Sequence, residues 1–119
     1  MTQVQSRLGP LQAGIILLAV ATAAIHIWLA VAEMDFDLLF IANGVGYLAL
    51  VAALYAPLQA LAPYRNVVRW VLIAYTAVTV VLWLLIGVRS LIAYVDKTIE
   101  VVLMILLWME AQAARPARR

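Results

Sequence analysis

The chain has no cysteine and a single histidine, and only 12% of its 119 residues are charged. The absence of thiols removes disulfides, thiolate nucleophiles, thiolate metal sites and covalent haem attachment. One histidine cannot supply both axial ligands to a haem within a chain, so a haem carrier would have to be a homodimer. No polar stretch is long enough to form a soluble catalytic domain, and no serine lies in a nucleophile motif. A hydrolase is therefore not expected, and the sequence carries no signature of an enzyme.

What the chain does have is apolar surface. Hydrophobic residues make up 68% of it, with a mean hydropathy of +1.07. Soluble domains are nearer roughly 45–50% apolar and about 25% charged, so this is the composition of a membrane protein. The net charge of +2 and pI near 9.3 do not point to nucleic acid. The basic residues flank apolar runs and build no basic face, which is the pattern of topology signals. No nucleic-acid partner is expected, and the lipid bilayer is.

Apolar runs occupy about 11–32, 38–58, 67–88 and 90–110, each near the roughly 20 residues a helix needs to cross a bilayer core. Lipid offers no partner to backbone groups and no alternating strand pattern is present, so the runs are predicted to be helices. The breaks are the charged turn Glu33-Met34-Asp35-Phe36-Asp37, the connection bracketed by Pro57 and Pro63, and the short Gly87-Val88-Arg89-Ser90 link. Links this short force neighbouring helices to run antiparallel. The N-terminal run is too long for the roughly 7–15-residue core of a cleaved signal, and it is read as a retained span. The expected fold is all-α: residues 1–119 as one integral membrane domain, an antiparallel four-helix transmembrane bundle.

Orientation follows from the arginines. Arg7, Arg65, Arg69, Arg115, Arg118 and Arg119 fall on the side of both termini, whereas Glu33, Asp35 and Asp37 fall opposite with Arg89. Basic residues near span ends stay in the cytoplasm, so a multi-pass protein of the cell membrane with both termini cytoplasmic is expected. Trp70 and Trp108 would lie at the inner interface, and Phe36 and Tyr94 at the outer one. The basic C-terminal tail, Arg115 to Arg119, would favour anionic headgroups.

Helix association in lipid relies on small residues at close contacts. Ala19, Ala23, His26 and Ala30 form such a stripe on the first helix, and Ala42, Gly46, Ala49 and Ala53 on the second. Thr76, Thr79 and Trp83 share a face of the third helix, and Ala93, Asp96, Glu100 and Leu103 a face of the fourth.

Asp96, Lys97 and Glu100 stand out because charges within a span need a partner, a water-filled cavity or a task. A fourth helix beginning only at Thr98 would leave about 12 residues before Glu110, too few to span, so the trio is placed inside the bundle. At a rise of ~1.5 Å per residue, His26, Asn43, Trp83, Asp96, Lys97 and Glu100 reach similar depths in the outer half. Four helices thus contribute to one polar layer, the candidate site for a proton or small polar solute.

Each member also has a structural reading. Lys97 and Glu100 at i,i+3 make an ion pair that can simply hold helices together. His26 and Asn43 can be interhelical hydrogen-bonding residues, and Tyr47 and Trp83 packing residues. His26 with Asp96 and Glu100 is also a possible divalent-metal set, but the Lys97 ammonium beside it opposes a cation. No metal or other cofactor is expected.

The segments Ile25-His26-Ile27-Trp28-Leu29, Asn43-Gly44-Val45-Gly46-Tyr47, Tyr75-Thr76, Val81-Leu82-Trp83 and Val95-Asp96-Lys97 carry a resemblance. With the apolar helix that follows, they resemble a set of short, functionally unassigned four-span membrane proteins in archaea and bacteria. The resemblance covers about residues 11–110, implies a four-helix membrane fold and supplies no activity. The size also invites comparison with small multidrug transporters, but this chain lacks a carboxylate within its first span. Two roles follow: a membrane protein that binds or passes a proton or small polar solute, as a homo-oligomer, or a structural subunit of a larger membrane complex.

Overall fold

A computed structural model describes residues 8–33 and 35–114. Among them the chain is all-helical: α1 (Pro10–Glu33), α2 (Leu38–Tyr55), a 3-10 turn (Gln59–Tyr64), α3 (Arg65–Ile86) and α4 (Leu91–Ala113). Three helical segments are long and apolar enough to cross a membrane: α1, α2 and the continuous run Gln59–Ile86. The 23 residues of α4 are of comparable length, but it carries Asp96, Lys97 and Glu100 in its first half. Arg7, Met34 and the tail residues Arg115, Arg118 and Arg119 lie outside the described residues.

The helix ends have local causes. Pro57 biases Ala56 towards extended backbone, and Ala56 adopts it (φ −60°, ψ 135°), so α2 stops at Tyr55, three residues before the expected 58. Arg65 folds back to donate to the carbonyls of Leu54 and Ala56, at the helix end where carbonyls lack intrahelical partners. Asp37 caps α2 by accepting from the Phe40 N–H, and Ser90 caps α4 by accepting from that of Ala93. At the end of α3, Arg89 donates to the carbonyls of Trp83 and Leu84. The α1–α2 turn places Asp35 and Phe36 in the left-handed region, at φ 50° and 59°. Asp tolerates this region well, but the bulky Phe36 is unusual there.

The helices run up, down, up, down. Each step forward on α1 is matched by an equal step back on α4: Gln12 meets Glu110, Thr22 meets Glu100, and His26 meets Asp96. The start of α1 and the end of α4 therefore lie at the same end of the bundle. Around the ring, α1 packs on α2 and α4, and α3 completes it against both of these. The middle is apolar: Ile15, Ala19, Ala23, Tyr47, Val51, Leu54, Leu72, Leu103 and Leu107 form one buried cluster. The outside is apolar as well, with Leu17, Trp28, Leu48, Val78, Leu85, Val101 and Ile105 all exposed.

The small-residue stripe of α1 is buried as expected, at Ala19, Ala23, His26 and Ala30. That of α2 is not. Its buried face is Gly44, Tyr47, Val51 and Leu54, and Ala42 and Ala49 point outward. Gly44 sets this rotation, because a Cβ there would lie 2.7 Å from Ile27 Cγ1 and 2.8 Å from the Ala23 carbonyl oxygen. The backbone oxygen cannot move aside. Gly44→Ala is accordingly expected to cost about 2 kcal/mol by overpacking, read as earlier thermal unfolding in detergent. An unchanged midpoint would mean that α1 and α2 do not approach this closely.

Candidate functional site

Four of the six expected site residues meet in the half of the bundle nearer the α1–α2 and α3–α4 turns. His26, Asp96, Lys97 and Glu100 are at most 9% exposed. Lys97 Nζ donates to Glu100 Oε1 at 2.8 Å and lies 3.2 Å from Asp96 Oδ2. His26 Nε2 faces the same carboxylates, at 3.7 Å from Asp96 Oδ2 and 3.9 Å from Glu100 Oε2. Its other nitrogen, Nδ1, lies 2.8 Å from the Thr22 carbonyl oxygen, which can only accept, so Nδ1 carries a hydrogen. A neutral His26 therefore turns the bare lone pair of Nε2 towards two carboxylates.

Two further residues complete the site. Thr22 Oγ1 sits 2.6 Å from Asp96 Oδ1 and 3.1 Å from Glu100 Oε2, and Tyr47 Oη donates to Glu100 Oε2 at 2.9 Å. Thr22 was invisible to sequence reasoning because threonine is ordinary in a membrane helix. Its signal was its position one turn before His26, on the same buried face.

Counting charges and hydrogens defines the chemistry. With His26 neutral, two carboxylates against one ammonium leave one negative charge in a largely buried site. Thr22 has one hydroxyl hydrogen for two carboxylate oxygens, so one of these contacts lacks a hydrogen unless a carboxyl group carries it. The cluster is short of one positive charge and one hydrogen, and a single proton supplies both. His26, Asp96 and Glu100 also place one donor atom each within 4.8 Å of one another, a spacing a metal ion could use. Lys97 already provides a cation between these carboxylates, so a metal would have to displace it.

Asn43 and Trp83 stand outside this cluster. Asn43 Nδ2 donates to Thr79 Oγ1 at 3.2 Å, and Tyr75 Oη donates to the Asn43 carbonyl at 2.7 Å. The Trp83 indole N–H donates to the Val88 carbonyl, with the Arg89 guanidinium 4.2 Å from the ring centroid and Tyr94 edge-on. Neither touches a carboxylate, but both line a neighbouring cavity of ≈290 Å³ that His26 also lines. The polar layer is thus an ion cluster on one side of His26 and a cavity on the other.

A second polar network, not expected from the sequence, lies at the other end of the bundle. Glu110 accepts from Arg69 Nε, Gln12 Nε2 and Tyr55 Oη, each at 2.8 Å, and Arg69 also donates to Asn66 Oδ1. All four helices contribute to it. In the sequence Arg69 has the place of a topology marker and Glu110 that of a span end, yet they are 7% and 6% exposed. Arg69 and Glu110 balance each other in charge, and both Glu110 oxygens have donors. About 10 residues of α4, some 15 Å of apolar core, separate it from Glu100.

No family model matches the chain, and neither a curated protein nor a solved structure is significantly similar to it.

Proposed function

We propose that this is a four-span integral membrane protein, with both termini cytoplasmic, whose buried outer-half cluster binds and releases one proton. The reading rests above all on the charge deficit of His26, Asp96, Lys97 and Glu100, which one proton cancels. A buried group of charges is stable only when paired, so a cluster left one charge short is suited to take up a proton. The Arg69–Glu110 ion pair provides the contrast, since its two charges cancel. The bilayer as partner is supported by the apolar exterior and by α4, whose charges all face inward. Outward-turned Ala42 and Ala49 allow a second helix to approach closely, which supports a homo-oligomer or a place in a larger complex. The resemblance to short four-span proteins agrees with this architecture and adds no activity.

The test is a pH-difference infrared spectrum of the protein in bilayers. One titration is expected in the carboxyl or imidazole bands. Glu100→Gln leaves only the Asp96–Lys97 pair, which is neutral, so that variant should fold, keep its oligomeric state and lose the titration. A parent protein with no such titration would support the second reading, a structural subunit whose polar layer only locks helices. That reading is favoured by the Lys97–Glu100 ion pair, which by itself needs no proton.

A further inference from the structure

His26 is held in the way a metal-ligating histidine is held. Its Nδ1–H donates to the Thr22 carbonyl at 2.8 Å, which fixes the tautomer and leaves a bare lone pair on Nε2. Histidines that bind metals almost always donate their second ring nitrogen in this way, which orients the ring and makes it a better ligand. The residue is 4% exposed, and Nε2 points at Asp96 Oδ2 and Glu100 Oε2, 3.7 and 3.9 Å away. Both distances exceed hydrogen-bond range, so lone-pair atoms of three residues face one another across a gap. Ligand atoms about 2.0–2.2 Å from a tetrahedral ion lie roughly 3.4 Å apart. The donor atoms of the three residues all lie within 4.8 Å of one another, so side-chain shifts of under about 1 Å close them on an ion.

Charge supplies the second argument. The two carboxylates call for two positive charges, and with His26 neutral the Lys97 ammonium provides one of them. A single divalent cation provides both. Lys97 is the member that can leave, since at 9% exposure it is the least buried of the four. Its flexible four-carbon stem can carry the ammonium towards the Ser90 end of α4, as lysines near the ends of membrane helices do. Thr22 on Asp96 Oδ1 and Tyr47 on Glu100 Oε2 would still orient the carboxylates. The imidazole sets the class of ion. Calcium takes six or more oxygen ligands and magnesium a nearly ideal octahedron of them. One nitrogen with two carboxylates suits zinc and its first-row neighbours instead, with a fourth position left open.

We infer that His26, Asp96 and Glu100 form a binding site for a divalent transition-metal ion, which enters by displacing the Lys97 ammonium. The donor set stands on geometry and charge. That metal and proton exclude each other rests on the proton-binding reading, because both fill the same charge deficit.

The single histidine makes the test direct. Isotopic labelling of histidine nitrogens, in protein without an added histidine tag and held in nanodiscs, gives the resonances of one imidazole. Zn²⁺ is expected to shift Nε2 saturably while Nδ1 keeps its hydrogen, and Mg²⁺ at the same concentration to leave both unmoved. Lys97→Met removes the competing ammonium and should raise the zinc affinity at least about tenfold. Asp96→Asn should lower it by more than the roughly 10–100-fold that loss of a supporting contact costs. Should either variant fail to fold, the response of the parent to the two ions decides alone. Binding through Nδ1, or an equal response to Mg²⁺, would overturn the assignment of the ligands. An unchanged affinity in Lys97→Met would overturn the displacement, and no saturable shift in the parent would overturn the site. The infrared titration is recorded with a chelator present, so the two readings fail separately. A titration without a zinc response removes the metal site alone, and a zinc response without a titration removes the proton reading alone.

Discussion

Glu110→Gln is expected to destabilise the protein by about 3 kcal/mol, the scale of breaking a buried ion pair from one side. The Arg69 guanidinium would keep its position, with 7% exposure, and lose the only carboxylate within reach among the described residues. Glutamine also replaces one acceptor oxygen with an NH₂ group. That oxygen position faces donors from Gln12 and Tyr55, so donors would oppose donors at a point where α1, α2 and α4 converge. Thermal unfolding in detergent measures the loss. Combining Glu110→Gln with Arg69→Met removes both charges and should recover more than half of it, because two absent charges leave nothing unpaired. Glu100→Gln is the comparison: its NH₂ group would face the Thr22 and Tyr47 hydroxyls, which can turn to accept, and it reduces the net charge of its cluster, so its unfolding midpoint should fall less than that of Glu110→Gln. If Glu110→Gln unfolds no more easily than Glu100→Gln, the lower network is not what locks the helices.

The contrast between the two clusters explains what the sequence could and could not show. Helices were legible because apolar runs of spanning length are broken by Pro57, by Gly87 and by the charged 33–37 turn, and each break has a backbone cause. The inward placement of Asp96, Lys97 and Glu100 was legible from span length alone. Register between helices was not. Both glycines of α2 are contact points, Gly44 against Ile27 and Ala23 of α1 and Gly46 against Tyr75 of α3, and the small-residue pattern through Ala42, Gly46, Ala49 and Ala53 picks out only the second. With that rotation unknown, Tyr47 read as packing, although its hydroxyl meets Glu100 in the buried cluster. Arg69 illustrates a different ambiguity. An arginine near a span end serves equally as a topology signal or as a buried partner, and only contact with Glu110 distinguishes the two. Depth reckoning placed Asn43 and Trp83 at the right level but on the far side of His26. Depth along a helix carries no information about the angle around it.

Lys97→Met is the second substitution expected to have a large effect, and it separates the structural and proton-binding roles of the upper site. Methionine keeps the length and apolar stem of lysine but removes contacts at 2.8 Å to Glu100 and 3.2 Å to Asp96. Two carboxylates would then face each other across Thr22 with no ammonium between them. Left ionised, that pair should destabilise the bundle by about 3 kcal/mol. If the cluster serves only as glue, the variant shows this loss and no change in bound protons. If it is built to bind protons, the missing ammonium is replaced by one additional proton, and the infrared pH-difference signal should roughly double relative to the parent. The double variant Lys97→Met with Glu100→Gln carries the same one-charge deficit as the parent, and should return both stability and the single titration. A double variant no more stable than Lys97→Met would show that shape rather than charge governs the site. One that regains stability without a titration would leave the ion pair a structural role alone.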